Sequence, residues 1–354
     1  MKQILNFDAK ELETELVENL QVEPFRARQI FPWIYRRGVT DFSDMSDMSQ
    51  LARTKLAENY TIYRPKVDTI QESVDGTRKY LFELEDGQKI ETVLIRQTNR
   101  WTLCVSSQVG CAIGCKFCRT ALMGLKRHLQ THEILGQVLA VRDDIATREG
   151  RPRLQQCDND FSNIVFMGMG EPLHNFENVT RALRILTAQL GLGMTPRKIT
   201  VSTSGLAPAI IKLADEAVPS SLALSLNHSF DEGRTQVMPI NKRYPLKVLM
   251  DACKHYNQVT NKHVTMEYVM LGGVNDTDAD LLRLPKLLAG LDCKINLIPY
   301  NMNAGLGYNA PTDETIQTWQ RTLNKKGINT RVRWSKGPDI SAACGQLAVK
   351  KDIF

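Results

Sequence analysis

The sequence predicts an α/β fold, a partial (β/α)6 barrel preceded by a small helical domain and a β extension. Three observations predict it. From residue 101 onward, short β-branched and apolar runs alternate with helical periodicity six times, the pattern of parallel strands joined by right-handed crossovers. The first 60 residues carry only the helical period. Between them, two strand-like runs flank Glu85-Asp-Gly-Gln, a hairpin signal. Eight units would close a full barrel. Six leave a side open, as a bulky substrate requires. The expected division is residues 1–60, 61–100 and 101–354.

In order, helices are expected at 9–20, 27–35 and 49–58. The second interleaves Arg26, Arg28, Arg36 and Arg37 with Phe31, Trp33 and Tyr35. Such a pattern can grip phosphates and stack bases; it can equally be the core and solvated face of a helical domain. The hairpin strands, 80–84 and 90–95, include Glu91, which reads as an exposed strand residue. Barrel strands are expected at 101–106, 163–167, 198–202, 221–226, 263–270 and 294–298. Helices lie between them, among them 131–141, 176–189, 207–216 and 246–258, the first with Thr131 as N-cap. Residues 330–334 read as an extra strand beyond the sixth.

The chain carries 45 Lys and Arg against 39 Asp and Glu, a formal charge of +6. That is compatible with an RNA partner without being specific to one. No run approaches the roughly 20 apolar residues of a membrane span, and the first ten residues are charged early, so a cytoplasmic protein is expected. Eight cysteines in 354 residues do not make a disulfide scaffold.

Three of those cysteines carry the chemistry: Cys111-Ala-Ile-Gly-Cys115-Lys-Phe-Cys118, a CxxxCxxC run. Thiolates favour zinc or iron–sulfur clusters. Three of them can hold three irons of a cubane and leave the fourth iron open to a small molecule. The competing reading is a zinc knuckle completed by Cys104 or His128, although no second CxxC-like pair is present. The triad follows a strand and precedes a helix, at the end of the sheet where ligands bind. Glu171 follows Gly168-Met-Gly170; its carboxylate could pair with a cationic amine or cap a helix. Ser202, Ser225, Asn227 and Asn301 stand at strand ends, where Ser and Asn also serve as ordinary loop caps. Cys344 sits among small residues, either in a mobile loop or as a buried structural cysteine. Cys253 reads as packing. Cys157 and Cys293 have no assigned role.

The chain resembles the radical S-adenosylmethionine (SAM) superfamily and, within it, the RlmN/Cfr family of RNA adenosine methyltransferases. The resemblance rests on Cys104-Val-Ser-Ser-Gln-Val-Gly-Cys111, the triad, Met167-Gly-Met-Gly-Glu-Pro-Leu173, Ser202-Thr-Ser-Gly205, Met238-Pro-Ile-Asn241, Asn296-Leu-Ile-Pro-Tyr-Asn301 and Asp339-Ile-Ser-Ala-Ala-Cys-Gly-Gln346. Pro24-Phe-Arg-Ala-Arg-Gln-Ile30 and Trp33-Ile-Tyr35 match as well. It implies a radical SAM barrel, a [4Fe-4S] cluster on Cys111, Cys115 and Cys118, and SAM held by Gly170, Glu171, Ser202, Ser225, Leu226, Asn227 and Asn301. The family commonly has His where this chain has Asn227. The resemblance further implies that Cys344 is methylated, that Cys104 forms a transient disulfide with it, and that Glu91 accepts a proton. The implied partners are 23S rRNA and tRNA, with an electron donor such as flavodoxin or ferredoxin, for a monomeric enzyme away from membranes. The activity implied is methylation of adenosine carbon 2. The alternative is Cfr-like methylation of carbon 8, which confers antibiotic resistance. A non-catalytic iron–sulfur RNA-binding module is the third reading; binding alone does not require two distant thiols.

Overall fold

The computed structural model describes residues 1–98, 100–151, 160–303 and 305–349. A two-residue strand β1 (Lys2–Gln3) opens the chain, followed by helices α1 (Ala9–Leu20), α2 (Arg26–Tyr35) and α3 (Gln50–Asn59). A second short strand, β2 (Tyr60–Thr61), pairs in parallel with β1 and closes the unit. Asp8 caps α1. It accepts from the Glu11 amide at 2.9 Å, and Glu11 accepts from the Asp8 amide at 2.9 Å, so two orphan donors are satisfied reciprocally.

Helix α2 corrects one expectation. Phe31, Trp33 and Tyr35 are at most 4% exposed and pack into the core, so none of them can stack a base. The arginines are partly committed too. Arg36 donates to the carbonyls of Gln189 and Gly191, and Arg37 lies over the Trp33 ring at 4.0 Å. Arg28 and Arg37 remain exposed.

Strands β3 (Lys66–Glu72), β4 (Arg78–Glu83) and β5 (Lys89–Gln97) form an antiparallel meander. The meander is no free linker, because β5 pairs with β6 (Arg100–Cys104), the first barrel strand. Next comes a ribbon of β7 (Gln108–Gly110) and β8 (Leu125–His128), with the one-turn helix α4 (Arg119–Leu122) in its connection. Helix α5 (Thr131–Arg148) leads to β9 (Asn163–Phe166), α6 (Phe176–Thr187), β10 (Ile199–Thr203), α7 (Ala207–Asp215) and β11 (Ser221–Ser225). Then follow α8 (Asp231–Val237), α9 (Leu246–Thr260), β12 (Val264–Met270), α10 (Asp278–Leu287), β13 (Cys293–Pro299), α11 (Asp313–Lys325) and β14 (Thr330–Val332).

One ten-stranded sheet results, ordered β3-β4-β5-β6-β9-β10-β11-β12-β13-β14 and parallel from β6 onward. Leu103, Ile164, Val201, Leu222, Met266 and Leu297 are fully buried along these strands, each contributing about 1.5–3 kcal/mol through burial. The extra strand at 330–334 is β14, the seventh parallel strand.

Helix α5 is covered on two sides, by the sheet and by the N-terminal helices, and so is buried all round from Thr131 to Arg142. Its N-cap is Gln130, not Thr131. Glu133 accepts from the Gln130 amide at 2.8 Å, while the Thr131 hydroxyl turns to Asn178. The N-terminal unit is tied to α5 by the His132 amide, which donates to Asn6 at 2.9 Å, by Arg142 donating to the Tyr35 carbonyl, and by an Arg64–Asp143 ion pair at 2.8 Å. Among the described residues no helix is long and apolar enough to cross a membrane.

Candidate functional site

The β7–β8 ribbon is the device that presents the cysteines. Its connection is closed at the base by the Cys111 amide, which donates to the Gly124 carbonyl at 2.9 Å. Gly110 makes this possible. It has φ +74°, and a Cβ there would fall 1.7 Å from that carbonyl oxygen. Two further backbone bonds fix the loop, from the Lys116 amide to Val237 and from the Arg119 amide to Gly345, both 2.9 Å. Phe117, Val237, Met238, Leu271 and Tyr300 pack against Cys115 and Cys118, an apolar shell that limits solvent access.

Cys111, Cys115 and Cys118 line one cavity with Gly170, Glu171, Ser202, Ser225, Asn227 and Asn301. Its empty space, open mouth included, is roughly 930 Å³, within the range of cofactor sites. Burial pushes the three thiols upward, Cys111 to about 12, so bound metal must drive their deprotonation. The donor set fits an iron–sulfur cluster with one open iron. The zinc alternative loses its fourth ligand. Cys104 lines a different cavity. His128 is 2.9 Å from Gln108 through Nδ1 and packs edge-on to His174. Among the described residues, no three His, Cys, Asp or Glu side chains converge as a single metal ion demands.

Glu171 caps a helix, one of the two uses expected of it. One carboxylate oxygen accepts from the Leu173 amide at 3.1 Å and caps the short helical turn Pro172–Asn175. The other accepts from the amide and hydroxyl of Ser204, each at 2.7 Å. Burial raises its proton affinity, and the Ser204 bonds pull the other way. The carboxylate is thus rigidly held at the cavity wall. Gly170 beside it has φ +102°, and a Cβ there would meet the Gln108 Cβ at 2.5 Å. Only glycine lets these segments touch.

Asn227 adopts φ +57°, a conformation Asn tolerates better than most residues. Its Oδ1 accepts from the Val269 amide at 2.8 Å and its Nδ2 donates to the Met238 sulfur at 3.1 Å. It therefore lines the cavity as a clamp between β11 and β12. Asn301 donates to the Cys344 carbonyl at 3.3 Å.

A second cavity adjoins the first. Cys104, Met167, Arg333, Trp334, Lys336 and Cys344 are among its walls. Burial lifts the Cys104 thiol to about 12, against the pull of the Arg333 guanidinium. Both thiols are free. Among the described cysteines, Cys344 alone lines both cavities.

Two family matches cover this architecture in succession. The ribosomal RNA large subunit methyltransferase N-terminal domain matches residues 2–62, and the radical SAM superfamily matches residues 105–284. The dual-specificity RNA methyltransferase RlmN of Geobacter sulfurreducens is 47% identical over 94% of this chain and 88% of its own. This chain belongs to the RlmN family. The RlmN of Geotalea uraniireducens is 45% identical, covering 99% of this chain and 97% of its own. A crystal structure of a radical SAM methyltransferase from Sphaerobacter thermophilus superposes with a TM-score of 0.89 at 42% identity, over 98% of this chain and 99% of that one.

Two residues expected in the RlmN-family site lie elsewhere. Leu226 does not line the cavity. Its side chain is fully buried in the main core, its amide donates to the Glu267 carbonyl, and its own carbonyl accepts from Arg234. Glu91 is not an exposed strand residue and faces neither cavity. It is 5% exposed, pairs with Lys79 at 3.0 Å and accepts from the Ala348 amide at 2.8 Å. Both its oxygens are engaged behind the Cys344 loop, on the wall of a third cavity shared with Lys79 and Arg119. Cys253 is core packing, as expected. Cys293 lies half-buried at the start of β13, and Cys157 falls outside the described residues.

Three residues of this region were not singled out from sequence. Arg234 is fully buried and donates to the carbonyls of Ser204, Ser225 and Leu226 and to Asn241 Oδ1. It gathers the ends of β10 and β11, which accounts for Asn241 in the matched motif. Arg333 follows β14, and Glu267 interrupts the otherwise uncharged run of β12. A charge inside a barrel strand was the available signal for Glu267.

Proposed function

We propose that this chain methylates carbon 2 of adenosine in 23S rRNA and tRNA, carrying the methyl carbon on Cys344. The observation that carries the reading is the position of Cys344 between the two cavities, one holding the cysteine triad and the other Cys104. When bound, a [4Fe-4S] cluster on Cys111, Cys115 and Cys118 together with SAM supplies the methyl group and the radical chemistry that activates it.

Carbon 2 of adenine lies between two ring nitrogens and is too electron-poor to attack a methyl sulfonium. A thiolate can, and Cys344 is placed to do so. Glu171 offers a fixed carboxylate to the α-amino group of SAM, with Ser202, Ser225, Asn227 and Asn301 completing the polar wall. The target base enters the second cavity, whose rim carries the half-exposed Trp334. Once the transferred carbon links Cys344 to the base, attack of the Cys104 thiolate on the Cys344 sulfur forms a disulfide and breaks the sulfur–carbon bond, and the released carbon takes a proton to become the methyl group. Glu91 holds the loop that carries Cys344.

The coarse organisation follows the same logic. Residues 1–60 are read as an RNA-docking unit acting through exposed cations such as Arg28 and Arg37, 61–100 as the β extension and 101–354 as the catalytic barrel. A flavodoxin or ferredoxin supplies electrons to a monomeric, cytoplasmic enzyme, and a reducing compartment suits the free cysteines.

Trapping tests this. Cys104→Ala keeps the acceptor thiol but cannot release the base, so the purified protein should carry RNA cross-linked at Cys344. Cys344→Ala and the double variant should carry none. RNA modified by the unaltered enzyme should contain 2-methyladenosine. Normal turnover by Cys104→Ala refutes the thiol assignment, and 8-methyladenosine refutes the carbon 2 assignment.

A further inference from the structure

Strand register sets Ser225 on β11, Glu267 on β12 and Asn296 on β13 side by side. Direct neighbours in a sheet point their side chains the same way, so these three make a polar row across the barrel interior. Ser225 and Glu267 both line the cavity that holds the cysteine triad. Glu267 is only 5% exposed. Its Oε1 accepts from Asn296 Nδ2 at 3.0 Å. Its Oε2 has no hydrogen-bond partner. The nearest cation, Arg333, stands 3.9 Å away, beyond hydrogen-bond reach. A buried carboxylate oxygen with nothing to accept from is costly, and a ligand that donates to it recovers that cost.

We infer that Glu267 binds the ribose of SAM, accepting a hydrogen bond from one of its hydroxyls. The inference rests on the cofactor assignment above. With Glu171 assigned to the amino end of that cofactor, a second buried acceptor in the same cavity needs a different donor. Hydroxyls are the remaining strong donors of a nucleoside, and an acidic side chain on a ribose hydroxyl is a recurring solution in nucleotide sites. The wall beside Glu267 includes Val269, Ile298 and Phe166, apolar surface suited to an adenine ring. RNA carries ribose as well, but Glu267 does not line the second cavity, where the two thiols meet.

The test is equilibrium binding to anaerobically reconstituted enzyme, with S-adenosylhomocysteine and its 2′,3′-dideoxy analogue as probes. Glu267→Gln keeps the side-chain volume and should weaken S-adenosylhomocysteine about tenfold, the effect of losing one charge-assisted hydrogen bond. The same substitution should change binding of the dideoxy analogue less than about threefold, because the analogue never made the bond. Matching melting curves and iron content establish that Glu267→Gln is folded and loaded. In the unaltered enzyme the dideoxy analogue should already bind about tenfold more weakly than its parent, a comparison that needs no variant. Equal affinity of Glu267→Gln and unaltered enzyme for S-adenosylhomocysteine overturns the inference, as does a loss confined to RNA affinity. If the unaltered enzyme fails to bind S-adenosylhomocysteine, the cofactor assignment itself falls and takes this inference with it.

Discussion

Replacing Lys79 by Met strands a buried carboxylate. Lys79 pairs with Glu91 at 3.0 Å, and their side chains are 9% and 7% exposed. Removing one partner of a buried pair costs about 3–5 kcal/mol. Unfolding entropy of about 2.1 cal/mol/K per residue over 354 residues gives about 0.74 kcal/mol/K. The melting temperature of Lys79→Met should therefore fall by about 4–7 °C. The loss should depend on pH. Burial holds the Glu91 carboxyl above its ordinary 4.5, while Lys79 pulls it down. With Lys79 gone the folded value rises further. A raised carboxyl pKa means that the folded state keeps a proton the unfolded chain releases. The stability linked to that proton is complete below about 4.5 and drains away as pH rises through the folded value. The deficit of Lys79→Met should thus be smallest near pH 5 and grow toward pH 8. Adding Glu91→Leu should recover most of it, since an apolar pair leaves no charge stranded. The assay is thermal unfolding followed by circular dichroism at four pH values. A pH-independent deficit, or a double variant as unstable as the single, refutes the reasoning.

Replacing any one of Cys111, Cys115 and Cys118 by Ala should abolish the iron-dependent absorbance of anaerobically reconstituted protein; full zinc occupancy without that absorbance would contradict the cluster assignment. Gly170→Ala forces a Cβ to 2.5 Å from the Gln108 Cβ at φ +102°, so S-adenosylhomocysteine affinity should drop at least tenfold, measured by equilibrium dialysis.

The barrel strands were legible because buried parallel strands are rich in β-branched and apolar residues, as β9, β10 and β11 are. Their connecting helices were equally plain, with ends displaced by one or two residues, except that α5 runs seven residues beyond the expected 141. The β7–β8 ribbon was not legible. Its strands are three and four residues long, one ends in glycine, and the pairing spans a 14-residue loop. Chemistry was readable where residue type limits its uses, as in three clustered thiols. It was not readable where a common residue depends on tertiary surroundings. Nothing local tells that Glu91 meets Lys79 and Ala348, that Leu226 turns inward, or that the α2 aromatics are buried rather than exposed.

The order of the large sheet repeats the order of the chain, omitting only the β1–β2 pair and the small β7–β8 ribbon. During synthesis each new strand therefore finds the previous one already formed as its docking edge, and most pairings close over short separations. The exception is the last stretch. Asp339 returns to Ser73 at 2.6 Å, Leu347 to Thr120 at 2.6 Å and Ala348 to Glu91 at 2.8 Å, and Cys344 lies between these ties. A growing chain can thus complete its barrel before it owns an acceptor thiol. The acceptor thiol is seated by ties that run back to the β3–β4 turn, to α4 and to β5, elements far from it in the chain.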